Sequence, residues 1–225
     1  MKPWVLIDTA PIPGNAGELQ LHQRDGEFSI SIVGGSVLMN THAHGSEDAL
    51  AELACRKVAR RSRPRVLIGG LGMGFTLAAA LRHLGPDAEV VVAELVPAVV
   101  AWNRGPLGEH AGHPLQDERT RVREGDVAKL LKEERRAYDA ILLDVDNGPE
   151  GLTRKKNDWL YTIDGLTASF AALRAKGILA VWSAAPDRNF TERLRKVGFR
   201  VQQNRVRAHN NKGELHTIWL AEGGF

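Results

Sequence analysis

Two carboxylates follow an apolar run in YDAILLDVDNGPEG, residues 138–151. The run predicts a buried strand, after which come Asp144, Asp146 and an Asn-Gly-Pro turn. A carboxylate at the end of a buried strand can hold a ligand, accept a proton or cap the next helix. The run by itself leaves all three roles open, so the neighbouring motifs have to distinguish them.

A glycine-rich turn, GGLGMG at residues 69–74, follows the apolar run RVLI. Glycines between a strand and a helix let the backbone approach a ligand closely and point helix amides at it. A phosphate-binding P-loop is excluded because Phe75, not Lys, follows Gly74. The dinucleotide fingerprint GxGxxG fits Gly70 and Gly72 but needs a third glycine where Phe75 stands. The observed G-x-G-x-G spacing of Gly70, Gly72 and Gly74 is typical of folds that bind S-adenosylmethionine.

Acidic residues end the next two predicted strands. Glu94 ends AEVVVAEL, where a carboxylate can accept hydrogen bonds from both ribose hydroxyls. Asp126 follows the third strand in EGD, where it can meet an adenine amino group or cap the helix that starts at Val127. Because the glycine turn, Glu94 and Asp126 occur in register, we predict a nucleoside site for an S-adenosylmethionine-type donor.

Strand and helix patterns alternate from Arg65 onward. The apolar runs predict strands covered on both faces, connected by right-handed helical crossovers. The predicted fold class is α/β, with a doubly wound, mostly parallel seven-stranded sheet that closes with a hairpin formed by FRVQQNRVRA and ELHTIWLAE. The ligand crevice of such a sheet opens where the strand order reverses, which places Asp144 across from the glycine turn.

The first part of the chain has a different pattern. Residues 1–45 predict a small region of short antiparallel strands with turns at Asp25-Gly26 and Gly34-Gly35, and residues 46–225 form the α/β domain. The segment HGSEDALAELACRKVARR predicts a helix that is capped by Ser46 and stopped by Arg63-Pro64. The segment DWLYTIDGLTASFAALRA is expected to form one helix.

Composition excludes several other classes of protein. No apolar run approaches the roughly 20 residues that span a bilayer, and the N-terminal residues lack a signal-peptide pattern, so we expect no membrane association and a cytoplasmic location. Basic clusters at residues 56–65 and 193–212 are interpreted as solvated faces rather than as a nucleic-acid site. His42 and His44 lack further ligands at useful spacing, so we predict no metal site.

These motifs resemble the spermidine synthase family of polyamine aminopropyltransferases, and especially its shorter bacterial paralogues with a Rossmann-like class I methyltransferase fold. The resemblance covers nearly the whole chain and includes VLIGGLGMG, EGD, LLDVDNGPEG, GILAVWSAAPD and HTIWLAE. It implies decarboxylated S-adenosylmethionine as the donor, aminopropyl transfer to a small amine acceptor, and a homodimer. It also implies that Asp144 is the catalytic carboxylate and that Glu94 and Asp126 bind the nucleoside. Asp146, two residues after Asp144, points the same way if the chain stays extended, which makes it the candidate for a second catalytic acid.

The chain departs from the family pattern at three places. Met73 replaces an Asp of the glycine turn, DVDNG replaces Asp-Ser-Ser/Thr-Asp-Pro, and SVLMNTHAHGSEDAL lacks the family's Gln and Tyr-His pair. These losses remove polar anchors for a long polyamine and leave an S-adenosylmethionine-dependent methyltransferase for an unknown small molecule as the alternative. A further alternative is a non-catalytic protein that senses a nucleoside or binds nucleic acid.

Overall fold

A small antiparallel sheet forms the first part of the chain. The computed structural model describes residues 2–14, 17–145, 149, 158–209 and 212–223. Its first sheet has the order β1-β2-β3-β4, with β1 at Val5–Pro11, β2 at Glu18–Arg24, β3 at Glu27–Ile32 and β4 at Val37–Asn40. Asp25 and Gly26 have φ angles of 49° and 85°, as a two-residue hairpin turn requires. Both predicted turns are present, while the domain boundary at residue 45 stays a prediction.

The second sheet confirms the predicted doubly wound topology. Its order among the described residues is β10-β11-β9-β8-β5-β6-β7. Strands β5 to β9 run parallel to one another, whereas β10 and β11 form the antiparallel hairpin that we predicted. The strand bounds are β5 Arg65–Gly69, β6 Glu89–Glu94, β7 Thr120–Glu124, β8 Tyr138–Leu143, β9 Leu173–Ser183, β10 Arg200–His209 and β11 Lys212–Gly223. The strand order reverses between β5 and β8, as expected.

Helices cover both faces of this sheet. Side chains of a strand alternate between its faces, so Ala140 and Leu142 of β8 enter one buried core while Ile141 and Leu143 enter the other. The first core packs against α1 to α3 and the second against α4 to α7. The helix bounds are α1 Gly45–Val58, α2 Phe75–His83, α3 Pro97–Arg104, α4 Val127–Glu133, α5 Asp158–Tyr161, α6 Ile163–Ala172 and α7 Arg188–Val197.

Two helix predictions were wrong in detail. Ser46 is not the N-cap of α1, because the helix begins at Gly45 and the buried Ser46 hydroxyl donates a hydrogen bond to Glu47 instead. The helix also ends at Val58, before Arg63-Pro64. The single helix expected for residues 158–175 is two helices, because Thr162 has an extended backbone and caps α6 by accepting a hydrogen bond from the Gly165 amide.

The first basic cluster contributes several side chains to structural ion pairs. Arg61 pairs with the buried carboxylate of Asp139 at 2.8 Å, and Arg65 pairs with Glu89 at 2.7 Å and with Glu134 at 2.9 Å. These contacts join the ends of strands and helices, so Arg61 and Arg65 have structural roles that the interpretation of the cluster as a solvated face did not include. Across the described part of the chain, no helix is both long and apolar enough to cross a membrane.

Candidate active site

The glycine turn after β5 adopts a conformation that favours glycine. Gly70, Gly72 and Gly74 have φ angles of 90°, 53° and 84°, in the left-handed region. A β-carbon on Gly70 would also collide with the backbone carbonyl oxygen of Asp144. The Asp144 amide in turn donates to the Gly69 carbonyl oxygen at 2.9 Å. Gly70 therefore allows the ends of β5 and β8 to meet closely at the point where the strand order reverses.

Glu94 holds the glycine turn from the end of β6. Its buried carboxylate accepts hydrogen bonds from the Leu71 amide at 2.9 Å and from the Val96 amide at 2.8 Å. Burial raises the pKa of Glu94, and the amides that face it, led by that of Val96, oppose this shift. Each carboxylate oxygen still has a second lone pair, so Glu94 can hold the turn and also accept a hydrogen bond from a ligand.

A first cavity opens beside this turn. Of the predicted donor-binding residues, Gly70, Gly72, Glu94 and Asp126 line it, and Asp144 borders it as well. Apolar side chains from the small N-terminal sheet cover its other side, namely Ile12, Leu19, Ile30, Ile32, Leu38 and Met39. The lining thus combines a large apolar wall with a few carboxylates, as is usual for a site that binds a small molecule.

Gly74 and Asp126 have local structural roles that the sequence only partly indicated. Gly74 lies outside the lining of the first cavity and is the residue before α2, where a β-carbon would lie 2.8 Å from Asn103 Oδ1. Asp126 caps α4, because its Oδ1 accepts a hydrogen bond from the Ala128 amide at 2.8 Å. Since Asp126 also lines the cavity, its capping role and its predicted contact with adenine are compatible.

Asp144 lies between the first cavity and a second one. It borders both cavities, together with Leu38, Met39 and Gly72. Burial raises its pKa to about 6, whereas a hydrogen bond from the Thr76 hydroxyl to its Oδ2, 2.5 Å long, acts in the opposite direction. A carboxylate with such a pKa is largely ionised at neutral pH and can accept a proton. Asp146, the predicted second acid, lies outside the described residues.

The second cavity is acidic. Its described lining includes Glu47, Asp144 and Glu214 but no Lys or Arg. Trp182 and His216 form part of its wall, with their ring centroids 4.7 Å apart. Met73, which replaces the family's Asp, is buried and faces this second cavity. The charge of this lining suits a cation.

Glu47 is a site residue that the sequence interpretation missed. Its Oε2 accepts a hydrogen bond from Ser46 Oγ at 2.6 Å, and Ser46 Oγ lies 2.9 Å from His216 Nδ1. Burial, followed by the negative charge of Asp144, raises the pKa of Glu47 to about 7. In the sequence Glu47 looks like an ordinary acid in the first turn of a helix, which favours the helix dipole. Only the packing of α1 against β11 shows that Glu47 also lines the second cavity.

The two histidines considered as metal ligands make other contacts. His42 Nε2 lies 2.6 Å from Glu27 Oε1, and His44 Nδ1 lies 2.9 Å from Asp48 Oδ2. The His44 ring is also stacked on Phe75, with centroids 4.2 Å apart. Within the described residues, no group of three or more His, Cys, Asp or Glu side chains is arranged to hold a metal ion.

Comparison with known proteins places the chain in a family. Residues 47–196 match the spermine/spermidine synthase domain. Because this match covers more than half of the sequence, the chain belongs to the spermine/spermidine synthase family. It is also 32% identical over 123 residues to polyamine aminopropyltransferase 1 of Streptomyces coelicolor. That alignment covers 54% of this chain and 22% of the relative, so the match spans about a fifth of the relative's length.

Solved structures show the same fold at low sequence identity. Spermidine synthase from Thermotoga maritima superimposes with a TM-score of 0.76 at 16% identity, over 97% of this chain and 73% of that one. A spermidine synthase in complex with the transition state analogue AdoDATO superimposes with a TM-score of 0.75 at 16% identity, over 97% of this chain and 72% of that one. A probable spermidine synthase from Corynebacterium glutamicum superimposes with a TM-score of 0.64 at 12% identity, over 99% of this chain and 81% of that one.

Proposed function

We propose that this chain is an aminopropyltransferase that moves the aminopropyl group of decarboxylated S-adenosylmethionine to a small amine acceptor. The observation that carries the proposal is the position of Asp144, which borders both cavities. The first cavity has the carboxylates and glycines for a nucleoside donor, and the second has the negative charge for an amine. Family membership supports aminopropyl transfer over the methyl-transfer alternative.

The reaction requires an unprotonated amine, although free amines are cations at neutral pH. In the proposed mechanism Asp144 attracts the ammonium group and accepts one of its protons. The neutral nitrogen then attacks the aminopropyl carbon bonded to the sulfonium. The new C–N bond forms as the C–S bond breaks, and the electron pair of that bond remains on sulfur. The products are 5′-methylthioadenosine and a secondary ammonium ion, and the proton taken by Asp144 is released to solvent.

The donor is held by residues of the first cavity in this proposal. Glu94 accepts hydrogen bonds from the ribose hydroxyls, Asp126 meets the adenine amino group, and Gly70 and Gly72 leave room for the nucleoside. Much of the rate enhancement would come from positioning, since the two reactants would meet beside Asp144. The expected homodimer and cytoplasmic location stay predictions.

Calorimetry and product analysis test the proposal together. We expect the protein to bind 5′-methylthioadenosine and decarboxylated S-adenosylmethionine, and to form an aminopropylated amine that mass spectrometry detects. Glu94→Ala should abolish nucleoside binding, whereas Glu133→Ala, at an exposed position of α4, should not. Asp144→Asn should lower kcat at least about a hundredfold with nucleoside affinity nearly unchanged.

Preference for S-adenosylmethionine with a methylated product would overturn aminopropyl transfer. Salt-dependent nucleic-acid binding that Glu94→Ala leaves intact would support the non-catalytic alternative.

A further inference from the structure

The second cavity has a carboxylate that the proposed reaction does not yet use. We infer that Glu47 is the acceptor-binding residue, which holds an ammonium group of the amine while Asp144 faces the reacting nitrogen. Ser46 and His216 act as positioning residues for Glu47. This inference rests on the proposed function, because it assigns the second cavity to the amine acceptor.

The two carboxylates lie at different distances from the first cavity, which gives them different roles. Asp144 borders both cavities, so a nitrogen beside it can reach a donor in the first cavity. Glu47 lines the second cavity but not the first, so it is removed from the donor. Apolar side chains also line the second cavity, including Leu38, Met73 and Phe75. Glu214, the third acid of the described lining, has a side chain that is 92% exposed, so Glu47 and Asp144 are the two acids shielded from solvent. Two such carboxylates in a partly apolar cavity suit a molecule with two cationic nitrogens on an alkyl chain.

Glu47 is fixed in place by a hydrogen-bonded chain. The Ser46 hydroxyl has one proton, which it donates to Glu47 Oε2. Ser46 Oγ must then accept a hydrogen bond from His216 Nδ1, which assigns the N–H of the imidazole to that nitrogen. Burial lowers the pKa of His216, so the neutral ring with one N–H is the favoured form. These hydrogen bonds tie α1 to β11 across 170 residues and hold one oxygen of the Glu47 carboxylate, Oε2.

Electrostatics explain why this arrangement favours a cation. Burial raises the pKa of both carboxylates, and the negative charge of Asp144 raises the pKa of Glu47 further. An ammonium group next to Glu47 compensates the negative charge that burial disfavours. Among the described residues that line the cavity, neither Lys nor Arg provides such compensation. A bound amine would provide such compensation.

Glu47→Gln provides the direct test, because the amide keeps the size of the side chain and an oxygen that can accept from Ser46. Glu52→Gln is the matched control, since Glu52 lies on the same helix and pairs with Arg56 at 2.9 Å, away from the cavity. We would measure kcat and KM for 1,4-diaminobutane and for 1-aminobutane with decarboxylated S-adenosylmethionine as donor. Direct binding of both amines would be measured by calorimetry in the presence of 5′-methylthioadenosine.

We expect Glu47→Gln to raise KM for 1,4-diaminobutane about tenfold to a hundredfold, the range of a lost charge-assisted hydrogen bond. The kcat value should change less than about threefold. The variant should bind 1-aminobutane with the same weak affinity as the unmodified protein does, because the one nitrogen of this amine faces Asp144. Ser46→Ala should raise the same KM by a smaller factor, since Glu47 keeps its charge but loses its tether. Nucleoside affinity should be unchanged in both variants.

The outcomes separate this inference from the proposed function. If the unmodified protein forms product and Glu47→Gln keeps the same KM for the diamine, the role of Glu47 is refuted while the proposed function stands. If no product forms but the diamine binds and Glu47→Gln loses that binding, the reaction is refuted while the role of Glu47 stands. Absence of both product and amine binding in the unmodified protein overturns both.

Discussion

The Thr76 hydroxyl lies 2.5 Å from Asp144 Oδ2 and joins the first turn of α2 to the end of β8 across 68 residues. Thr76 is almost fully buried, so water does not replace this contact readily. Burial favours the protonated form of Asp144, whereas a hydroxyl that donates to the carboxylate favours the ionised form. Thr76 therefore lowers the pKa of the residue that we propose as the proton acceptor.

Thr76→Val should shift the pH dependence of turnover. Loss of the hydroxyl raises the pKa of Asp144 further, so more of the carboxylate is protonated at any given pH and kcat/KM is lost sooner as the pH falls. We expect the acidic limb, near pH 6 in the unmodified protein, to move to higher pH by about half a unit to one unit. A profile of kcat/KM from pH 5 to 9 measures this shift.

Thr167→Val is the control for that measurement. Its hydroxyl donates to the Ile163 carbonyl oxygen at 2.7 Å on the exposed side of α6, so its loss should leave the profile unchanged. An acidic limb that stays in place in Thr76→Val would contradict the role of the contact. An acidic limb that persists in the residual activity of Asp144→Asn would show that another group titrates.

Much of the first cavity could be predicted because its position depends on chain order. Strand ends in a parallel sheet meet at one edge, so the position of Gly70, Glu94 and Asp126 after successive strands was enough to bring them together. The placement of Asp144 across from Gly70 followed in the same way from the reversal of strand order. These inferences used the alternation of apolar runs and required no knowledge of side-chain packing.

The second cavity could not be predicted in the same way because it depends on contacts between distant segments. Glu47 faces the second cavity only because α1 packs beside β11, where Ser46 meets His216. Local patterns also misplaced Ser46, whose side chain is used in that contact and not as a helix cap. The break at Thr162 is similar, since the extended Thr162 caps α6 and Gly165, which has no β-carbon, lets the start of α6 approach the backbone at Trp159 closely.

Glu47→Gln should stabilise the protein at alkaline pH. The folded pKa of Glu47 is about 7, above its ordinary value of 4.5. Its contribution to stability is therefore fully present below about pH 4.5 and is lost as the pH rises through 7. At pH 8 the variant should have a free energy of unfolding higher by on the order of 2 kcal/mol, with a smaller difference at pH 5. Urea denaturation at both pH values measures the free energy of unfolding. An equal gain in Glu52→Gln would contradict the raised pKa of Glu47 as the cause.

Asp139→Asn should destabilise the fold without changing the site. The nearly buried Asp139 carboxylate accepts hydrogen bonds from Arg61 at 2.8 Å, from Arg174 at 2.7 Å and from the Arg65 amide at 2.8 Å. Loss of its charge leaves two guanidinium groups without their partner, so we expect about 3 kcal/mol of destabilisation in urea. Glu192→Gln, which removes an exposed pair with Arg195, should cost less than about 0.5 kcal/mol. Equal effects of the two variants would refute a structural role for the ion pairs of Asp139 with Arg61 and Arg174.

Gly70→Ala should damage both the fold and the first cavity. The φ of 90° strains alanine, and the new methyl group would collide with the Asp144 carbonyl oxygen, which forces the ends of β5 and β8 apart. We expect at least about 2 kcal/mol of destabilisation and a clear loss of affinity for 5′-methylthioadenosine. Gly112→Ala is the matched control, because its φ is 72° but no atom lies within 4 Å of the added carbon. That variant should lose only about 1 kcal/mol and bind the nucleoside normally. If denaturation and calorimetry find the two variants alike, backbone strain alone explains Gly70 and the close approach to Asp144 has no further importance.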